Sequence, residues 1–317
     1  MSTVAAENRV AGASTVAAVD IGGTKIAAAL VDQAGTVRDR IRVDTPSGAT
    51  AILCVVAELV AGLCERAPEP VAAVGVGAPG VIDSEAGVVR SATGTMPGWA
   101  GAPVRDELTG RLGLPVAVAN DVRTAALGAV LDPRLHGLTQ VLHVSVGTGV
   151  GGALIRHGRL LTGPHAVTGE IGHLLVPGYG ALACGCGRHD HLEAVAAGPA
   201  IAAAYARATS QPVRPLTEVA ARMRAGDADA EMVIRSAAQL LGRALAGLVA
   251  AVDVDAVTLG GGVVHGIEPF ADMVAAALHA EALPPLRTLP VLVPQTGPDT
   301  PLLGAARLAR TLEGVRP

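Results

Sequence analysis

The segment CGCGRHDHLE, from Cys184 to Glu193, puts two thiols one residue apart ahead of two histidines and a carboxylate. Such a set can hold a metal, form a redox pair or make a tight polar turn. The chain has four cysteines, Cys54, Cys64, Cys184 and Cys186, too few for a disulfide scaffold in 317 residues. In a reducing compartment the adjacent pair reads better as metal-binding than as bridged. A second chemistry-bearing stretch is DIGGTK, from Asp20 to Lys25. Gly22 and Gly23 let a backbone approach an oxyanion without Cβ atoms in the way. Thr24 adds a hydroxyl, Lys25 is the single lysine of the sequence, and Asp20 can hold Mg²⁺ through water. An ordinary Gly-Gly hairpin turn is the alternative. A further turn, GTGVGG at Gly147 to Gly152, has a G-x-G-x-x-G-like spacing around Gly147, Thr148 and Gly149. It sits between two strands and opens no helix, which disfavours a dinucleotide fingerprint. Two phosphate-sized glycine turns suggest a clamped triphosphate, and the patch Gly260, Gly261, Gly262 would let an adenosine lie against bare backbone. In VANDVRTAA, Asn120 and Asp121 stand where a strand ends and a helix begins. The aspartate there is either the helix N-cap or a base that accepts the proton of an attacking hydroxyl.

These residues need elements to position them. TVAAVDIGGTKIAAALVD reads as two apolar strands around a glycine turn, and VLHVSVGTGVGGALI, from Val141 to Ile155, repeats the design in the other half of the chain. Between them we expect a helix at 50–66, a strand at 71–76, a loop GAPGVID, a strand LPVAVAND and a helix from Val122. Farther on, DADAEMVIRSAAQLLGRALAGLVAAV has helical spacing, VDAVTLGGG reads as a strand ending in glycines, and TPLLGAARLARTLEG as a closing helix. Strands alternating with helices imply an α/β fold with largely parallel sheets. The first dozen residues are expected to fray.

Composition narrows the partners. Half of the residues are hydrophobic but only 1% aromatic, so the interior must be packed from Ala, Val, Leu and Gly, which favours closely approaching elements. A net charge of -4 argues against a nucleic-acid partner, which would need a basic face to release counterions. The N-terminus lacks a secretory pattern and no run approaches the length of a membrane span, so a cytoplasmic protein without membrane contact is expected. Cys54 and Cys64, ten apart in the expected helix, read as small core fillers.

The motifs DIGGTKIAAALVD, GVGAPGVID, VANDVRTAALG, VSVGTGVGGALI, GEIGH and CGCGRHDHLEA, in this order, resemble the ROK family of sugar kinases and sugar-responsive repressors, from about Val16 to the final helix. The resemblance implies the actin-like ATPase (ribonuclease H-like) fold, two α/β lobes closing over ATP and a sugar. It divides the chain into a small lobe over 1–122, completed by a helix at 301–317, and a large lobe over 123–300 that carries the zinc-binding segment. Asp121 matches the family's catalytic base and Asn120 a sugar ligand beside it. Glu170 and His173 of GEIGH, and Glu193, match residues that hydrogen-bond sugar hydroxyls. Gly80 and Thr95 fall near further sugar contacts, although many relatives carry Asn at the position of Thr95.

The family's structural zinc is held by the histidine of the GEIGH segment and three cysteines. In this sequence His191 stands at the third cysteine position and Asp190 at the glycine before it. His173, Cys184, Cys186 and His191 still form a two-nitrogen, two-sulfur set that tetrahedral zinc accepts. His189 is the alternative fourth ligand. The metal would position Glu193 rather than take part in the reaction. The activity implied is ATP- and Mg²⁺-dependent phosphorylation of a hexose 6-hydroxyl, with glucose first and an N-acylhexosamine, N-acetylmannosamine or N-acetylglucosamine, second. A sugar-sensing repressor is disfavoured because about fifteen residues precede the first strand, too few for a winged-helix segment. A homodimer or homotetramer is expected by resemblance alone.

Overall fold

A computed structural model of the chain describes residues 14–92, 96–176 and 181–312. The frayed start expected from the sequence therefore lies outside the described residues. Contacts divide the chain into two compact units, residues 1–137 with 155–168 and 295–317, and residues 138–154 with 169–294.

The first unit holds strands β1 (Val16–Ile21), β2 (Lys25–Val31) and β3 (Val37–Asp44), helix α1 (Ala49–Arg66), strands β4 (Val74–Ala78), β5 (Val81–Asp83) and β6 (Val88–Ser91), helix α2 (Val104–Leu112), strand β7 (Val116–Asn120) and helix α3 (Asp121–Ala129). Its main sheet has the order β3-β2-β1-β4-β7, antiparallel from β3 to β1 and parallel from β1 to β7. The expected largely parallel sheet is thus a mixed one, because each hairpin that makes a glycine turn contributes antiparallel pairs. Within the expected loop GAPGVID, Val81–Asp83 instead pair with β6 as a small antiparallel ribbon. β1 is buried on both faces, which explains its unbroken apolar sequence. Ala17, Val19 and Ile21 join α1 and α2 in one core, whereas Val16 and Ala18 pack with Leu302, Ala305 and Ala306 of the closing helix, Thr300–Ala309, on the other face. That helix and α3 meet backbone to backbone: a side chain at Gly304 would fall 1.6 Å from the Thr124 carbonyl oxygen. Scarcity of aromatics is answered by this kind of contact.

In the second unit, β8 (Gln140–Val146) and β9 (Val150–Arg156) flank the second glycine turn; β9 runs on to pair with β10 (Arg159–Leu160), which is counted with the first unit. The short α4 (Glu193–Ala196) is followed by α5 (Gly198–Thr209), α6 (Leu216–Arg224), α7 (Ala228–Val252), β11 (Ala256–Gly260), α8 (Gly262–Gly266), α9 (Phe270–Glu281) and β12 (Val291–Leu292); the closing helix at 300–309 is α10. β11 lies parallel to both β8 and β12. α7 corrects one reading of the sequence. Its 25 residues are long and apolar enough, by length and composition, to cross a membrane. Its most apolar 18-residue window is half buried, and the helix enters the unit's own core through Ala230, Val233, Ile234, Ala237, Leu241, Leu245 and Val249, while Arg235 and Arg243 are exposed. Spacing of three and four residues between the buried positions is that of a core helix. Cys54 and Cys64 are half-buried in α1, and Cys64 packs against the first unit's core.

Candidate active site

In the first unit the chemistry gathers where β1, β4 and β7 end. The DIGGTK turn is a tight hairpin in which Gly22 N–H donates to the Lys25 carbonyl at 2.9 Å and the Thr45 hydroxyl donates to the Gly22 carbonyl at 2.7 Å. Gly23, Thr24 and Lys25 are exposed at its tip. Asp20 pairs in register with Gly77 of β4 and is mostly removed from water; burial pushes its pKa up to about 6 against the pull of the Arg42 charge. A carboxylate held there at a cost in its charged form is one that a cation would relieve.

At the end of β7 the alternatives left open for Asp121 are separated. Asn120, not Asp121, is the N-cap of α3: its Oδ1 accepts from the N–H groups of Val122 and Arg123 at 2.9 and 3.2 Å. Its Nδ2 donates to the Gly80 carbonyl at 3.0 Å, so one amide hydrogen is left for any further partner. Asp121 occupies the first helical position, half-buried, with Oδ1 accepting from Val122 N–H at 2.9 Å. The Gly80 loop is held a second time by Trp99, fully buried, whose indole N–H donates to the Pro79 carbonyl at 2.9 Å. Thr95 lies outside the described residues.

The second unit assembles the other glycine turns. Gly147 N–H donates to the Gly149 carbonyl at 2.9 Å, and the Gly147 carbonyl accepts from Gly198 N–H at the start of α5 at 2.8 Å. Gly261 has φ +92°, and a Cβ there would fall 2.4 Å from the Val146 carbonyl oxygen, so no side chain fits between β8 and β11 at this point. Gly147 and Gly262 are neighbours, since a Cβ on Gly147 would lie 3.9 Å from Gly262 N. Beneath Gly260 lies a residue that sequence reading passed over. His143, buried, meets the Thr258 hydroxyl through Nδ1 at 2.9 Å, and burial pushes its pKa down to about 4. A lone histidine inside an apolar strand gives no signal beyond its type.

Glu193 is the hub of this unit's polar site. Its Oε2 accepts from Val150 N–H at 3.0 Å, at the exit of the second glycine turn, and Oε1 lies 3.8 Å from Cys184 Sγ. A Cβ on Gly149 would fall 2.5 Å from Oε2, so the glycine is what admits the carboxylate to the turn. Glu170 precedes a single 3₁₀ turn, Ile171–His173, and its carbonyl accepts from His173 N–H at 3.1 Å.

Among the described residues, one cluster has metal-ligand composition: His173, Cys184, Cys186 and His191, with donor atoms all within 4.8 Å of one another. His189 is outside it. The two Nδ1 atoms are 3.1 Å apart, Cys186 Sγ is 3.3 Å from His191 Nδ1, and Cys184 Sγ is 3.9 Å from His173 Nδ1. Tetrahedral zinc, with Zn–N near 2.0 Å and Zn–S near 2.3 Å, requires edges of about 3.3 to 3.8 Å, so these three separations lie close to those of a zinc site, and pairs farther apart, within the 4.8 Å limit, would have to close on the ion. With Nδ1 turned to the cluster, His173 keeps Nε2 for another partner. Burial and the neighbouring Glu193 and Cys186 push the Cys184 thiol above its usual range. Asp190 stands at φ 57° and accepts from the N–H groups of Leu182 and Ala181 at 2.8 and 3.3 Å. Aspartate is among the few residues other than glycine that enter the left-handed region readily, and its carboxylate gains these hydrogen bonds there.

Comparison with known proteins places the whole of this frame. The ROK family model matches residues 16–312. An N-acetylmannosamine kinase of Escherichia fergusonii is 33% identical over 305 residues, 93% of this chain and 98% of that protein. The crystal structure of a ROK hexokinase from Thermus thermophilus is similar with a TM-score of 0.82 at 34% identity, covering 94% of this chain and 98% of that one. A ROK family glucokinase from Streptomyces griseus, solved with glucose and AMPPNP, gives 0.81 at 33% identity, covering 94% and 100%. The fold is the actin-like ATPase fold of these kinases, and the chain belongs to the ROK family.

Proposed function

We propose that the chain is an ATP-dependent sugar kinase that transfers the γ-phosphoryl group to the 6-hydroxyl of a hexose. The observation that carries this reading is the division of labour at the end of β7. Asn120 caps the helix, so Asp121 is not needed as its cap; it stands at the first helical position with Oδ1 accepting from Val122 N–H, and its carboxylate is the proton acceptor in this reading. As the sugar oxygen attacks the γ-phosphorus, Asp121 accepts its proton and the bond to the β-phosphate oxygen breaks, giving sugar 6-phosphate and ADP. Phosphoryl transfer depends mainly on alignment and charge neutralisation, so a well-placed carboxylate suffices. The turns at Gly22–Lys25 and Gly147–Gly149 take phosphate oxygens, and Gly260–Gly262 take the nucleoside. Asp20 is the residue that would hold the nucleotide's Mg²⁺, which would supply neutralisation of the phosphate charge. Glu170, His173 and Glu193 accept and donate hydrogen bonds to sugar hydroxyls. His173, Cys184, Cys186 and His191 bind a structural zinc that fixes the loop on which Glu193 stands.

Glucose is the first reading of the sugar. An N-acylhexosamine is the second, favoured by the identity shared along 93% of the chain with an N-acetylmannosamine kinase. The protein acts in the cytoplasm as a homo-oligomer. The test is Mg²⁺- and ATP-dependent ADP release across glucose, mannose, N-acetylglucosamine and N-acetylmannosamine. Turnover on one sugar names the substrate. Absence of turnover on all four, with sugar bound in calorimetry, would replace the kinase by a sugar sensor of the same fold.

A further inference from the structure

Arg123 is two residues beyond Asp121 in the first turn of α3, and only 3% of it is exposed. A guanidinium at that depth needs hydrogen-bond acceptors. Its Nη2 donates to the carbonyl oxygens of Ala166 and Thr168, at 2.5 and 3.2 Å. Residues 163–166 are folded as a turn, with Ala166 N–H donating to the Gly163 carbonyl at 3.1 Å and Ala166 itself at φ 56°. The next residue, Gly169, is at φ +92° and lies so close to β9 that a Cβ would fall 2.3 Å from the Gly152 carbonyl oxygen. Its own carbonyl accepts from Ile171 N–H at 2.6 Å. Thr168 and Gly169 are therefore each fixed, by different parts of the fold, and Glu170 follows directly.

We propose that Arg123 is a positioning residue for sugar binding: by holding the Ala166 and Thr168 carbonyls together it sets the path by which the chain enters Gly169 and Glu170. The side chain is rooted in the same helical turn as Asp121, so one guanidinium ties the base-bearing turn to the segment leading into a sugar-binding carboxylate. The two N–H groups of Nη2 serve the two carbonyl oxygens, and a lysine ammonium, on a shorter side chain without the planar head, would reach them less well. The role of Glu170 rests on the kinase reading given above; the anchoring of residues 164–170 does not.

The experiment compares wild type, Arg123→Met and Arg123→Lys, first by hydrogen–deuterium exchange. Arg123→Met should speed exchange in the peptide covering residues 164–170 at least about tenfold, with β8, β11 and α7 unchanged, and Arg123→Lys should lie between. Kinetics on the sugar identified above should then show the KM for sugar raised ~10- to 100-fold, with the KM for ATP within about twofold. Unchanged exchange at 164–170 overturns the proposal whether or not the chain is a kinase. So does a uniform fall in active fraction with both KM values unaltered, since that is what a merely structural arginine gives. If wild type turns over no sugar, the kinase reading fails while the exchange data still decide the role of Arg123.

Discussion

Replacing Asp20 by Asn should make the protein more stable at neutral pH in the absence of nucleotide and magnesium. Burial raises the Asp20 pKa from 3.8 to about 6, with Arg42 opposing. Between those values the folded chain holds a proton that the unfolded chain has released. The stability from this group is therefore complete below about pH 4 and is lost as pH rises through about 6. A shift of about two units corresponds to about 3 kcal/mol, and residual contact of the carboxylate with water reduces the working figure to about 2 kcal/mol. Asparagine keeps the shape without the charge, so the variant should lack this slope. Urea unfolding of both proteins at pH 4 and pH 7.5 measures it, and titrations common to both, including the thiols, cancel in the difference. Wild type should lose about 2 kcal/mol more than Asp20→Asn between the two values, and Mg²⁺ with a non-hydrolysable ATP analogue should recover stability in wild type alone. Equal slopes, or a variant less stable at pH 7.5, would refute the reasoning.

Three further outcomes follow from the second unit. Changing Cys184 and Cys186 together to Ser should abolish zinc in the purified protein, measured by atomic emission, and raise the sugar KM through Glu193; a wild-type protein purified without chelators that contains no metal would end the zinc proposal. Gly149→Ala should displace the Glu193 carboxylate from Val150 N–H and cost about 1–3 kcal/mol in thermal unfolding. Gly147→Ala, whose added carbon meets only Gly262 N at 3.9 Å, should cost less than about 1 kcal/mol, and equal effects would show that Glu193 does not depend on the turn.

How far the sequence could be read depends on the range of the interaction. The two hairpins, α1, α7 and α10 come from local periodicity and turn residues, and each stands close to where the pattern predicts it. The metal-like set was legible because three of its four residues fall within eight positions, Cys184 to His191. Asn120 and Asp121 are equally good caps by type, so only the structure separates them. The grip of Glu193 on Val150 spans 43 residues and leaves no local trace. Arg123 looks like a surface residue in VANDVRTAA, because its acceptors are carbonyls 43 and 45 residues away. α7 shows the opposite fault, since an alanine-rich core helix and a membrane span share a composition and differ in which face is covered.

The central claim is that Asp121 is the base of a sugar-phosphorylating site. Its most direct test is Asp121→Asn, assayed for ADP release on the preferred sugar and, by calorimetry, for affinity for that sugar. The account predicts a fall in kcat of about 10²- to 10⁴-fold with sugar affinity kept within a few fold. Turnover within a few fold of wild type would contradict it, because the proton of the attacking hydroxyl would then be leaving without the Asp121 carboxylate.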